Sequence, residues 1–311
     1  MQNIDKAIVQ AFFDRQVSEW DTAKNNYEAL QRVKVKEFRL GNALVKVQFN
    51  PARIVSSAAK VDAKSLKERK CFLCEENRPA VQDGLAWGDY TILVNPFPIF
   101  PKHLTIPANG HIPQLISGRI KDMMRLSSVL CDYVVFYNGP KCGASAPDHM
   151  HFQAGNTGFM PVADWMRNAR KRNVLLSGDA RLSVVEEGMP QCCFIIEASS
   201  VDGGSRMFDR LYEAIDIPEG ESEPMLNVLC LYYAGVWNIV VFPRKKHRPD
   251  CYFKEGDGNI LISPASVDMG GVFITPLEKD FDKITASDLQ TIYDEVCIGK
   301  DDAEAICSKI N

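Results

Sequence analysis

No uninterrupted apolar run in this sequence approaches the roughly 18 residues that a membrane-spanning helix needs. A basic excess is missing too. The 36 Lys and Arg stand against 40 Asp and Glu, a formal charge of -4, so a dedicated nucleic-acid or membrane-surface binder is not expected. Cysteine is thin, ten in 311 residues, too sparse for the disulfide scaffold of a small secreted protein. The stretch MQNIDKAIVQAFFDRQVSEW mixes charges among its apolar residues and lacks the apolar centre of a secretory signal. Neither a G-x-x-x-x-G-K-[ST] loop nor a G-x-G-x-x-G after a strand occurs, so those two ways of holding phosphates are not used. These absences predict a soluble, cytoplasmic chain with no membrane and no nucleic-acid partner.

What is present suffices for a large core: 46% of residues are hydrophobic and 24% charged. Over residues 1–30, Ile8, Val9, Phe12, Phe13, Val17 and Trp20 recur at helical spacing, and residues 112–130 do so again. Strands are expected at residues 38–49 as a pair, then at 91–95, 103–107 and 132–138. A short strand covers His149 to Ala154. Further on, RLSVVEEG, QCCFIIEA and ILIS read as strands, MFDRLYEAI as a helix, and 225–243 as a hairpin turning at Ala234-Gly235. The stretch 237–249 echoes 90–103, an aromatic, a strand and a proline-bearing basic turn, which suggests a degenerate internal duplication. LSGDA (176–180) is the expected boundary, giving units 1–175 and 176–311. The basic clusters RNARKRN (167–173) and FPRKKHR (242–248) read first as solvated faces.

His149, His151 and Gln153 alternate with Met150, Phe152 and Ala154. On a strand the first three share one face while the others enter the core. With five histidines in the whole chain, two on one strand face followed by an amide stand out from a half-exposed strand. A metal site using both histidines is the competing reading of the same spacing.

The segment FYNGPKCGASAPDHMHFQA resembles the active-site segment of the histidine-triad superfamily. It is most similar to the branch holding galactose-1-phosphate uridylyltransferase, diadenosine tetraphosphate phosphorylase and GDP-hexose phosphorylase. The upstream run LVNPFPIFPKHLTIPANGHIPQL resembles that branch's preceding strand–turn–strand. The resemblance implies that His151 is the nucleophile on the α-phosphorus of a nucleotide, forming a covalent nucleotidyl-histidine, and that Gln153 bonds the non-bridging oxygens. A third histidine in place of this Gln marks the hydrolases, so Gln153 implies transfer or phosphorolysis. It further implies phosphate contacts at Gly143 and Ser145, a polar nucleotide contact at Asn138, a ribose or base contact at Asn95 and a phosphate contact at Arg53. The family's uridylyltransferases carry Asn-Asp where this chain has Asn95-Pro96, which makes the wording nearer the phosphorylases of adenine or guanine nucleotides.

Cys71 and Cys74 have the two-residue gap that lets both thiolates reach one tetrahedral Zn²⁺, the alternative being reduced, empty thiols. A redox role is disfavoured, because no βαβ context surrounds them. The resemblance supplies the other two ligands as His111 and His149, with His103 competing for the third place; a bound zinc would be structural.

The expected fold is α+β, antiparallel sheets with helices on one face in two similar halves, the second degenerate. The expected function is a nucleotidyltransferase or nucleotide phosphorylase acting on a dinucleoside polyphosphate or NDP-sugar, with phosphate or a phosphorylated acceptor as partner. Two rivals remain: a non-catalytic nucleotide sensor, and a metal-dependent enzyme ligated by His149 and His151. A homodimer is left open.

Overall fold

The structure is a computed structural model and describes residues 4–54 and 63–310. Residues 1–3 of the first expected helix lie outside the described residues. Alternating β-prone residues give a hairpin, β1 (Lys34–Leu40) and β2 (Ala43–Phe49), turning at Gly41, whose φ of +57° suits a residue without Cβ. Ten further strands build one sheet: β3 (Gly84–Trp87), β4 (Tyr90–Val94), β5 (His103–Pro107), β6 (Tyr133–Asn138), β7 (His151–Asn156), β8 (Arg170–Ser177), β9 (Ala180–Glu187), β10 (Phe194–Ala198), β11 (Leu226–Tyr233) and β12 (Val236–Pro243). Their order is β3-β4-β5-β7-β6-β11-β12-β10-β9-β8, all neighbours antiparallel. β13 (Val272–Thr275) joins the small hairpin sheet, parallel to β2.

Helices of ten or more residues among those described are α1 (Lys6–Glu19), α2 (Asp21–Leu30), α3 (Ile120–Val129), α4 (Val201–Ala214), α5 (Ala286–Val296) and α6 (Lys300–Ile310). α1, α2, α3, α4 and α6 lay their apolar stripes on one face of the large sheet, with Phe12, Tyr27, Met123, Phe208 and Ile306 in that core. The opposite face is covered by the small sheet and α5, around Val47, Phe273, Phe242 and Tyr293. The fold is α+β, with most helices on one face as expected and a second, smaller sheet on the other.

The duplication is written in the topology. Outward from the β6–β11 seam, one side reads β6-β7-β5-β4-β3 and the other β11-β12-β10-β9-β8. α3 lies between β5 and β6 in the chain, as α4 does between β10 and β11. The counterpart of β12 is therefore β7 and not β4, so the echo between 237–249 and 90–103 was a false alignment. Both are apolar strands followed by a proline turn, a pattern too general to fix correspondence.

Three local expectations change. Residues 260–263 form no strand; Ile260 and Ile262 pack into the second core, and the Leu261 N–H bonds Asp280 at 2.8 Å instead of a neighbouring strand. LSGDA contains the hairpin turn between β8 and β9, so residue 175 falls inside β8 and the sheet runs on without a break. Of 112–130 only α3 is helical, leaving residues 112–117 irregular.

Candidate active site

β7 starts at His151, so His149 precedes the strand and turns to Cys71 instead of sharing the face of His151 and Gln153; from Met150 onwards the alternation holds. Met150, Phe152 and Ala154 are buried in the helix-side core. His151 and Gln153 face the other way, into a cavity of about 700 Å³ between the large sheet, the small sheet and the short helix Ser266–Met269. Asn95, Asn138, Gly143, Ser145 and Arg53 line the same cavity. Residues spread over a hundred positions are thus brought to one surface.

The hydrogen bonds fix the chemical state of His151. Its Nδ1 lies 2.8 Å from the carbonyl oxygen of His149. A carbonyl only accepts, so Nδ1 carries the proton and Nε2 keeps a lone pair. Burial pushes the ring's pKa down to about 4, so the imidazole is neutral at physiological pH.

Gln153 is oriented by a second chain of bonds. The Ile99 N–H donates to His103 Nδ1 at 3.2 Å, and His103 Nε2 faces Gln153 Oε1 at 3.0 Å. A backbone N–H can only donate, so His103 carries its proton on Nε2 and gives it to the Gln153 oxygen. The NH₂ of Gln153 is thereby turned away from His103 towards the cavity. Burial, and then the charge of Arg53, holds His103 neutral with a pKa of about 3. Its ring serves Gln153, which removes it as a competitor for the metal cluster.

Gly143 has φ +95°, and a Cβ built there would lie 2.4 Å from Ala265 Cβ; only glycine lets the 139–146 loop press against Pro264-Ala265. Asn95 is largely committed: its Oδ1 accepts from the Phe97 N–H at 2.9 Å and its Nδ2 donates to Thr105 Oγ1 at 2.9 Å. Arg53 donates to the Phe97 carbonyl at 2.9 Å. The basic clusters do not line the cavity: Arg170 and Arg172 pair with Glu186, Glu187 and Glu304.

Cys71, Cys74, His111 and His149 gather with their ligand atoms all within 4.8 Å of one another. Cys71 Sγ lies 3.3 Å from His149 Nδ1, and Cys74 Sγ 3.2 Å from His111 Nδ1. His149 Nε2 lies 2.8 Å from the Ala108 carbonyl, so its proton sits there and Nδ1 offers a lone pair to the cluster. Burial pushes both thiols up, but at Cys71 the His149 ring and the N–H groups of Leu73 and Cys74 outweigh it and bring the thiol down to about 7. Two sulfurs and two ring nitrogens at this spacing fit a tetrahedral metal site. His151 is not part of the cluster.

Sequence reading missed Gln114. It is 1% exposed; its Oε1 accepts from the His151 N–H at 2.7 Å, and its Nε2 donates to the carbonyls of His151 (3.0 Å) and Asn138 (2.9 Å). It bridges both ends of the loop between β6 and β7. An isolated glutamine in an irregular stretch carries no signal of such a role. Asp268, lining the cavity from the second half, was also missed; burial raises its carboxyl to about 7.

Residues 12–156 match the family described as Domain of unknown function (DUF4922). Diadenosine 5',5'''-P1,P4-tetraphosphate phosphorylase 2 of Saccharomyces cerevisiae is 28% identical over 140 residues, 40% of this chain and 43% of that protein. The match therefore spans less than half of that relative's length. The crystal structure of yeast Ap4A phosphorylase Apa2 in complex with Ap4A superposes with a TM-score of 0.62 at 18% identity, covering 92% of this chain and 97% of the other. A second structure of the same yeast protein gives 0.57 at 17% identity, covering 89% and 93%. At such identity the likeness is one of fold. Over both halves the chain shares the fold of that yeast phosphorylase.

Proposed function

We propose that this chain, starting from that fold, moves a nucleoside monophosphate group from a dinucleoside polyphosphate to inorganic phosphate through a covalent nucleotidyl-His151. The observation that carries the reading is the state of His151: proton on Nδ1, lone pair on Nε2, in a cavity with room for a nucleotide. In the first displacement Nε2 attacks the α-phosphorus, and the bond to the bridging oxygen breaks with its electron pair leaving on the departing phosphate chain. The positive charge that develops on the ring is held by the His149 carbonyl at Nδ1. In the second, a phosphate oxygen attacks the same phosphorus, the P–N bond breaks and the imidazole recovers its lone pair. A dinucleoside tetraphosphate would yield a nucleoside triphosphate, then a nucleoside diphosphate.

Gln153 and Asn138, with Ser145 and the backbone N–H groups of the Gly143–Ser145 loop, are assigned to the non-bridging oxygens, where charge builds in both transition states. Arg53 is assigned to the distal phosphates, and Asn95 to the sugar through its remaining N–H. The yeast relative, by name a diadenosine tetraphosphate phosphorylase, supports the dinucleotide class; an NDP-sugar would pass through the same two steps. Cys71, Cys74, His111 and His149 are assigned to Zn²⁺. Bound there, the ion would supply a structural cross-link between Cys71, Cys74, His111 and His149, its charge balanced by the two thiolates.

The test is a panel of dinucleoside polyphosphates and NDP-sugars, each with and without phosphate. Phosphate-dependent release of a nucleoside diphosphate is expected. Phosphate-independent release of a monophosphate would make the chain a hydrolase. Binding without turnover across the panel would favour the sensor reading.

A further inference from the structure

Arg244, just past β12, is 5% exposed. Its five N–H donors are all engaged: Nε with the Val296 carbonyl (3.1 Å), Nη1 with Asn227 Oδ1 (2.6 Å) and the Pro264 carbonyl (3.2 Å), and Nη2 with the carbonyls of Lys246 and His247 (both 3.1 Å). Four backbone carbonyls and one amide oxygen share the charge. With no donor left over, this guanidinium cannot touch a substrate. It acts through what it holds.

What it holds is Asn227, fully buried on β11. A guanidinium only donates, so the Asn227 oxygen must face Arg244 and its NH₂ must face away. That NH₂ lies 3.1 Å from Asn138 Oδ1, 2.8 Å from the Cys142 carbonyl and 3.2 Å from Ser266 Oγ. Asn138 Oδ1 also accepts from the Ser266 N–H at 2.8 Å. With its oxygen fixed by two donors, Asn138 has one orientation left: its NH₂ opens on the cavity it lines.

We infer that Arg244 and Asn227 are positioning residues, supplied by the half that lacks the histidine motif, which turn Asn138 into an N–H donor for the phosphoryl oxygens beside His151. This deepens the proposed function and rests on it for the identity of the phosphoryl group. The Ile99–His103–Gln153 chain does the same on the other side: each begins at an obligate donor and ends at an amide NH₂ facing the cavity. A reversed Asn138 would aim an oxygen at an anion.

Asn227→Asp is the test, because a carboxylate still accepts from Arg244 and preserves the buried pair but has no N–H to hold Asn138. Affinities for inorganic phosphate, AMP and adenosine are measured by calorimetry on the full chain, together with the melting temperature. Asn227→Asp is expected to fold with a lowered melting temperature, because the Cys142 carbonyl loses its donor, to lose at least tenfold affinity for phosphate and AMP, and to keep its affinity for adenosine. Asn138→Asp should show the same pattern, and the double variant no further loss, since both act on one contact. Unchanged phosphate affinity in Asn227→Asp, additive losses, or no phosphate binding by the wild type would overturn the inference. If the wild type forms no His151 adduct while both variants lose phosphate affinity, the covalent reading falls and the relay stands.

Discussion

His149 serves His151 with its backbone and the Cys71–Cys74–His111 cluster with its ring. Its carbonyl oxygen takes the His151 Nδ1 proton at 2.8 Å, while its own Nδ1 lies 3.3 Å from Cys71 Sγ. Two positions of chain separate the proposed metal ligand from the proposed nucleophile. Anything that frees the His149 ring also loosens the carbonyl that sets the tautomer of His151.

The purified protein should therefore hold about one Zn²⁺ per chain, with two sulfur and two nitrogen ligands by X-ray absorption. Cys74→Ser should release the metal and lower the melting temperature by ~10 °C, because metal binding is linked to folding. A metal-free protein of unchanged stability would remove the zinc assignment and leave His151 untouched.

The depressed pKa of His151 gives a pH signature. An imidazole of ordinary pKa loses half its nucleophilic form at about pH 6.5. Here burial holds the ring at about 4, so the neutral form persists as pH falls and is lost only below that value. Adduct formation should be flat from pH 8 to about 5. The label should survive an alkaline quench and be lost in acid, as a phosphoramidate requires. His151→Asn should abolish adduct and turnover while keeping the fold; wild-type turnover in that variant would end the covalent mechanism.

Gln153→His would put a third histidine where the amide now stands, as in the hydrolase branch. The product ratio should shift from phosphorolysis towards hydrolysis even if the total rate falls. An unchanged ratio at reduced rate would show that Gln153 binds phosphate without setting the acceptor.

Gln114→Ala would leave the His151 N–H and two carbonyls without partners, a cost of about 1–3 kcal/mol for each buried group. The expected signature is kcat reduced by ~10–100-fold with KM changed only a few-fold, since the nucleotide is held by other groups. Equal loss in kcat/KM through KM alone would assign Gln114 to binding.

Gly143→Ala tests the loop. The positive φ costs an L-residue roughly 1–2 kcal/mol, and the new methyl collides with Ala265. Turnover should fall at least ~30-fold, with a lower melting temperature. Near-normal activity would show that the loop can retreat from Pro264-Ala265 without harm.

The strand that carries His151 and Gln153 into the cavity was legible because its signal is local. His151, Gln153, Cys71 and Cys74 each sit in a spacing that strand or ligand geometry explains. Cys71 and His149, 78 residues apart, were joined only by resemblance, since no spacing predicts a contact of that range. Gln114, Asn227 and Arg244 were illegible for another reason. A lone amide or a basic residue in a run of them has no pattern, and becomes informative only when the fold sets it against a particular carbonyl. FPRKKHR read as a solvated face, yet its Arg244 is buried where four carbonyls from three segments of the chain converge on it. β13, four residues long, is too short for periodicity to reveal.

β13 pairs with β2 in parallel, and Thr275 Oγ1 donates to the Gln48 carbonyl at 3.3 Å, 227 residues earlier in the chain. Contacts of that span form late, after the loop-closure cost of nearly the whole chain has been met. Ser266, Asp268 and Ile274 belong to the same late segment and wall the cavity or brace Asn138. During synthesis, His151 and Gln153 leave the ribosome more than a hundred residues before that wall does. A growing chain thus carries His151 well ahead of the walls of its cavity, and the nucleotide site proposed above is complete only once the final strand has docked.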